Sequence, residues 1–215
     1  MSKALPTRKE LTQCQNCWKK KAPGVTFSRC SACKVEIYCS VECQRAAWPS
    51  HKAKCKLNSR LTEMLPDEIA QIVEYKQKTL RVFTSKHRPT LCEAGVRALD
   101  LGRNPRNAEE KFLRVKVRQR PGSQLAHLLY VVEDAEVVAF DDLPPEQAAE
   151  MKGVLAEANR TRGEGMDGTF FVMLFDVVTS LCNIAPVSFA KSATYSTPKP
   201  YKELLMDHLN NGIIL

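Results

Sequence analysis

Eight residues between Cys14 and Cys55 have the types and spacings that hold a soft divalent metal. They are Cys14-x2-Cys17, Cys30-x2-Cys33, Cys39-x3-Cys43 and His51-x3-Cys55. Seven thiols and one imidazole divide into two sets of four, and four is the number a closed structural zinc site takes. Two intervening residues let both sulfurs of a pair face one ion, and ligands at i and i+4 share a helical face. Spacing alone leaves open which pairs share an ion, since sequential and interleaved arrangements both satisfy four-coordination. With two such sites in so short a segment, metal rather than a hydrophobic core holds it together. That chemistry is a scaffold for binding, not a catalytic centre.

The elements that must position these ligands follow from the pattern around them. Val35-Glu36-Ile37-Tyr38 alternates and predicts a short strand running into Cys39. Ser40 is placed to cap a helix from Val41 to Trp48 that carries Cys43. Pro49 is expected to end that helix, and Ser50 to start a second turn bearing His51 and Cys55. Beyond Leu61 the composition shifts. Leu65, Ile69, Ile72 and Val73 predict a helix over roughly 66–83, and a second is expected over about 90–101, ending at Gly102. Leu113, Val115 and Val117 alternate with Arg114, Lys116 and Arg118, a strand with one basic, solvated face. Leu128 to Val132 and Glu136 to Phe140 read as two strands joined by a turn near Glu133-Asp134. A helix over Glu146 to Arg160, a buried strand over Thr169 to Thr179 and a terminal helix over Tyr201 to Asn211 complete an α+β pattern. The expected organisation is a disordered lead over 1–13, a zinc module over 14–55, a linker over 56–65 and an α+β domain over 66–215.

Composition narrows the function classes. Nothing near Met1 has the apolar core of a secretory signal, and the run from Phe170 to Phe175 is too short to span a bilayer. An intracellular, reducing location in nucleus or cytoplasm follows, with no membrane partner; clustered cysteines there bind metal rather than form disulfides. The net charge of +8 is uneven. Residues 1–60 hold 13 Lys/Arg against 3 Glu, a net +10, and residues 61–215 hold 19 Lys/Arg against 21 Asp/Glu, a net −2. Such a basic segment attracts acidic partners or nucleic acid. No helix with base-reading residues is evident and aromatics are sparse, so the surplus reads as a solubilising surface and direct specific nucleic-acid binding is not favoured.

The Cys14 to Cys55 stretch resembles a MYND zinc finger. All eight ligands fit, as do the Tyr38-Cys39-Ser40 and Cys43-Gln44-x3-Trp48-x2-His51-x3-Cys55 strings; only the gap from Cys17 to Cys30 is long for the family. The resemblance covers about a fifth of the chain. It implies an interleaved, cross-brace double site with a short strand plus helix. Cys14, Cys17, Cys39 and Cys43 would bind one structural Zn²⁺, and Cys30, Cys33, His51 and Cys55 a second. It also implies docking of a short proline-rich peptide of a protein partner, at positions matching Ser31, Gln44 and Trp48. Family analogy alone suggests a transcription or chromatin regulator as that partner.

Other signals are weaker. Gly163-x-Gly165-x2-Gly168 spells a dinucleotide loop, but it follows a helix and precedes a strand, so it reads as a connection. His87, His127 and His208 lie far apart in sequence and form no ligand or triad pattern. Cys92 and Cys182 read as small hydrophobes. MYND fingers also occur inside SET-type lysine methyltransferases. There part of the SET domain precedes the finger, whereas 13 residues precede Cys14 here, and the Asn-His-x-Cys string of those enzymes is missing. No catalytic residue is therefore assigned. A zinc-dependent interaction module is the leading expectation, with a basic nucleic-acid-associated protein or a SET-type methyltransferase as alternatives.

Overall fold

The computed structural model describes residues 14–17, 19, 21–22, 24–33, 36–59, 66–160, 165–190 and 199–215. The expected lead over 1–13, Val35, residues 60–65 and Gly163 lie outside them. The chain forms two compact units, Met1–Glu74 and Tyr75–Leu215.

In the first unit β1 (Ser28–Arg29) pairs antiparallel with β2 (Ile37–Tyr38), Ser28 opposite Tyr38. β2 falls where the alternation places a strand; β1 is only two residues long and carries no pattern of its own. Helix α1 spans Val41–Ser59. Its first turn is capped as expected, with Ser40 Oγ accepting the Cys43 N–H at 3.3 Å. Its end is not where the sequence places it. The helix runs through Pro49 as one element, and the first four positions of the expected linker are helical. A proline in a helix interior costs about 3 kcal/mol. Here Cys43 lies before it and His51 and Cys55 after it, each in a metal-ligand cluster. Structural zinc contributes on the order of 10–16 kcal/mol, which overrides that local cost.

Helix α2 (Asp67–Lys86), within which the two units divide, is followed by α3 (Arg88–Ala98) and the single turn α4 (Asn107–Glu110). Then come β3 (Lys111–Gln119), β4 (Tyr130–Ala139), α5 (Pro145–Arg160), β5 (Gly168–Asp176), β6 (Cys182–Phe189) and α6 (Tyr201–Asn210). The sheet order is β4-β3-β5-β6, with β3 parallel to β5 and the other pairs antiparallel. This is the expected α+β arrangement. β5 is buried on both faces along Phe170–Leu174, as a continuous apolar run in a central strand requires. α3 packs so closely on it that a Cβ on Gly95 would lie 2.1 Å from Cε2 of Phe170. α6 closes the open edge of β4: the Asn210 amide takes the Val132 N–H at 2.7 Å and donates to the Val132 carbonyl at 3.2 Å.

Four expectations change. The two strands joined at Glu133-Asp134 are one strand, β4. The register steps from Lys116 opposite Asp134 to Val117 opposite Val132, so Glu133 is a bulge residue, not a turn. The basic face of β3 is paired rather than merely solvated: Arg114 and Lys116 reach Glu136 at 2.7 and 3.1 Å, and Arg118 pairs with Glu133. α3 ends at Ala98, not at Gly102. Asp100 takes the left-handed position (φ 51°), while the Leu101 N–H bonds the Val96 carbonyl at 3.0 Å and the Asp100 N–H the Arg97 carbonyl at 3.2 Å. Finally, β6 has no counterpart among the expected strands, and Pro186 lies within it. As an edge strand it tolerates the missing N–H. Among the described residues, no helix is long and apolar enough to cross a membrane.

Candidate zinc centres and docking face

Two knuckles, β2 and α1 bring the eight ligands into two clusters. Cys14, Cys17, Cys39 and Cys43 form one; Cys30, Cys33, His51 and Cys55 form the other. Ligand segments therefore alternate along the chain, the interleaved of the two arrangements that spacing allows. The backbone explains the convergence. The Gln15 N–H bonds the Ile37 carbonyl at 3.0 Å, fixing the first knuckle to β2, and the Cys30 N–H bonds the Glu36 carbonyl at 2.9 Å, fixing the second. On α1, Cys43, Ala47, His51 and Cys55 recur every four residues and form one inward stripe.

The separations fit zinc. A tetrahedral ion with Zn–S of about 2.3 Å sets sulfurs roughly 3.8 Å apart, and sulfur to imidazole nitrogen roughly 3.6 Å. Cys17–Cys39 and Cys39–Cys43 are 3.6 and 3.5 Å apart, Cys30–Cys55 3.7 Å, and Cys33 Sγ lies 3.5 Å from His51 Nε2. All nine cysteines are free thiols. The electrostatics of the bare donor sets also call for a cation. Burial pushes Cys14 up, yet the backbone N–H groups of Cys17, Cys39 and Asn16 draw it down to about 6, while hydrogen bonds to Cys43 and Cys17 push Cys39 up to about 12. In the second cluster burial and the neighbouring Cys33 push Cys55 up to about 12. Four thiolates cannot share so small a volume without a compensating charge, and Zn²⁺ supplies it when bound.

Glu36 is the residue that sequence reasoning missed. Its Oε2 lies 2.9 Å from His51 Nδ1, off the ideal hydrogen-bond line, and accepts the Tyr38 hydroxyl at 2.6 Å. His51 is only 2% exposed and Tyr38 is fully buried. A carboxylate behind a ligating imidazole fixes which ring nitrogen carries the proton and aims the other at the metal. The signal was present: residues 36 and 38 of an alternating strand share a face.

Val41, Gln44, Arg45 and Trp48 recur at i, i+3, i+4 and i+7 on α1. They line a shallow groove of about 330 Å³. Trp48 is 43% exposed, and its ring meets His51 edge-on at 5.9 Å, so it both packs against the second cluster and presents a surface. Of the expected peptide contacts, Gln44 and Trp48 share this groove. Ser31 lies in the exposed turn after Cys30 and is not part of its lining.

These features decide the segment. Residues 12–55 are a MYND-type zinc finger, matching the family model for the MYND finger. The match covers about a fifth of the chain. Similar proteins include a SET and MYND domain-containing protein of Dictyostelium discoideum, 45% identical over 51 residues, 22% of this chain and 9% of that protein. The SET domain and MYND-type zinc finger protein 6 of Schizosaccharomyces pombe is 49% identical over 43 residues, 20% of this chain and 8% of that one. A human histone-lysine N-methyltransferase is 50% identical over 42 residues, 19% and 10% respectively. The chain thus spans a tenth or less of these relatives' length, in the finger region. No solved structure matches.

In the second unit the three histidines converge despite their sequence separation. His87, fully buried, donates from Nε2 to the His127 carbonyl at 2.9 Å, and His208 is also buried. Burial holds His87 below its ordinary range, and the charges of His127 and His208 add to this. Cys92 and Cys182 sit in α3 and β6, their thiols pushed up by burial, in keeping with small apolar side chains. Gly165 lies in a turn and Gly168 starts β5, so these two glycines fall between α5 and the sheet, as a helix-to-strand connection requires.

Proposed function

We propose that this finger docks a short proline-rich segment of a partner protein in the α1 groove. MYND fingers are protein-interaction modules, and the observation that supports this use here is the half-exposed Trp48 beside Gln44. An extended polyproline helix loses little entropy on docking and packs on an aromatic face. Trp48 supplies that face, Gln44 a donor and acceptor for peptide backbone, and Ser31 a further hydroxyl from the second knuckle. Two zinc ions hold these parts and take no part in chemistry. The division into a finger over 14–55 and a separate α+β domain over 66–215 belongs to the same reading, as does a reducing, intracellular setting for nine cysteines that form no disulfide.

The test is titration of the zinc-loaded full chain with a panel of proline-rich peptides, followed by tryptophan fluorescence and amide chemical shifts. Shifts at Gln44 and Trp48, lost in Trp48→Ala with zinc content intact, are expected. A silent titration across the panel overturns the reading. A second reading, lysine methyl transfer, draws on the names of the relatives alone and ranks below it, because they match only through the finger. Incubation with labelled S-adenosylmethionine and lysate proteins decides that question independently.

A further inference from the structure

In the second unit, Tyr75 and Lys76 of α2, the end of β3, the loop Arg120–Gln124 and the turn after β5 enclose a cleft of about 560 Å³. Among the described residues its lining holds three cations, Lys76, Arg118 and Arg120, against one carboxylate, Asp176. Arg118 is committed to Glu133. Asp176 is fully buried, accepts the Val178 N–H at 3.1 Å and the Thr179 hydroxyl at 2.9 Å, and among the described residues makes no ion pair with Lys76 or Arg120. The other two cations differ from the ion-paired Arg114, Lys116 and Arg118 next to them. Lys76 donates to the neutral Gln119 amide, and Arg120 Nη2 to the Asn210 backbone carbonyl at 2.9 Å. Neither has a carboxylate partner among the described residues. Arg120 Nε is shielded from solvent and has no acceptor among the described residues.

A neutral acceptor satisfies a hydrogen bond but leaves the charge uncompensated. A shielded guanidinium N–H without an acceptor is costly. The uncompensated charges of Lys76 and Arg120, which line the cleft, are met by an anion with several acceptor oxygens. Ser123, Gln119 and Gln124 add polar groups around the cations. Tyr75, Pro121 and Val178 give the cleft an apolar flank, with Tyr75 and Val178 largely exposed. The volume is that of a site for a small organic molecule rather than a lone ion. We infer that this cleft binds a small organic phosphate monoester, the phosphate between Lys76 and Arg120 and the organic body against Tyr75. The site is independent of the finger and of its peptide.

The test uses the zinc-loaded full chain with inorganic phosphate, phenyl phosphate and adenosine monophosphate. Binding is read by calorimetry and by amide shifts. Both organic phosphates are expected to bind at least about tenfold more tightly than inorganic phosphate, with shifts at Tyr75, Gln119 and Ser123. Lys76→Gln keeps the side-chain stem, and Ser123→Asp adds a charge in an exposed loop. Each should weaken binding by about tenfold or more without moving the melting temperature. Tighter binding of the nucleotide than of phenyl phosphate assigns the flank to a nucleoside; the reverse assigns it to a single ring. No binding at millimolar concentration, equal affinity for inorganic phosphate, or shifts unaffected by both substitutions overturns the inference.

Discussion

Replacing Glu36 should weaken one zinc site without removing a zinc ligand. The carboxylate lies 2.9 Å behind His51, and both side chains are largely shielded, 14% and 1% exposed, so solvent does little to screen the contact. Loss of such an outer partner typically costs 10–100-fold in metal affinity, or about 1.4–2.8 kcal/mol. Glu36→Gln keeps an acceptor oxygen but not the charge, and should fall near the tenfold end. Glu36→Ala also strands the buried Tyr38 hydroxyl, a further cost of about 1–3 kcal/mol to the fold, and should reach the hundredfold end. The assay is competition for zinc against a chromophoric chelator, with elemental analysis fixing the starting stoichiometry at two per chain. Glu42→Ala removes the same charge from the exposed first turn of α1 and serves as the control. If Glu36→Ala holds zinc as tightly as wild type, or if Glu42→Ala loses as much, the imidazole is not oriented by Glu36 and the argument fails.

Four further outcomes are expected. Cys39→Ala should abolish both zinc sites, because ligand segments alternate along the chain; a variant that keeps one zinc and an ordered finger by elemental analysis and amide spectra would contradict the interleaving. The second cluster is wholly buried while Cys17 is exposed, so limiting iodoacetamide on the zinc-loaded chain should label Cys17, Cys39 and Cys43 before Cys30, Cys33 and Cys55, with equal rates in mass spectrometry as the refuting result. His87 is held below its ordinary value, so the neutral ring belongs to the fold. Its contribution is complete above the unfolded value of about 6.5 and is lost as pH falls through it. Protection factors of β3 and β5 amides, corrected for the intrinsic pH dependence of exchange, should fall on acidification, and a His87→Gln variant should flatten that response. Gly95→Ala drives a methyl into Phe170 and should cost about 1–3 kcal/mol despite the better helix propensity of alanine, lowering Tm by about 2–4 °C per kcal/mol.

The finger was legible because its determinants are local and chemical: eight ligands at fixed offsets name the metal and the number of ions before any fold is known. What local pattern could not give was the behaviour of Pro49, since a helix-breaking residue is overridden only when ligands on either side of it are held from elsewhere. The same limit recurs in the second unit. Glu133 reads as a turn residue until Lys116 and Arg118 lie opposite it in the sheet, and β6 becomes a strand only once β5 offers an edge to pair with. The three histidines are separated by 40 residues or more and meet through packing of α6 against the strands. Each failure is a long-range contact deciding a local conformation.

One helix carries both the metal stripe and the groove proposed to dock a peptide, and this couples two equilibria. Cys43, His51 and Cys55 lie on one side of α1, while Val41, Gln44, Arg45 and Trp48 lie about one residue's rotation away. The groove therefore exists only while α1 is folded against both clusters, and α1 crosses Pro49 only while zinc holds its two halves. A peptide that binds the folded finger and not the unfolded one must strengthen zinc retention at equilibrium by mass action, by about 2.7 kcal/mol at a hundredfold excess over its dissociation constant. Zinc affinity measured with and without a docking peptide should differ by that linkage. A peptide that binds without changing zinc retention would have to sit elsewhere than on α1.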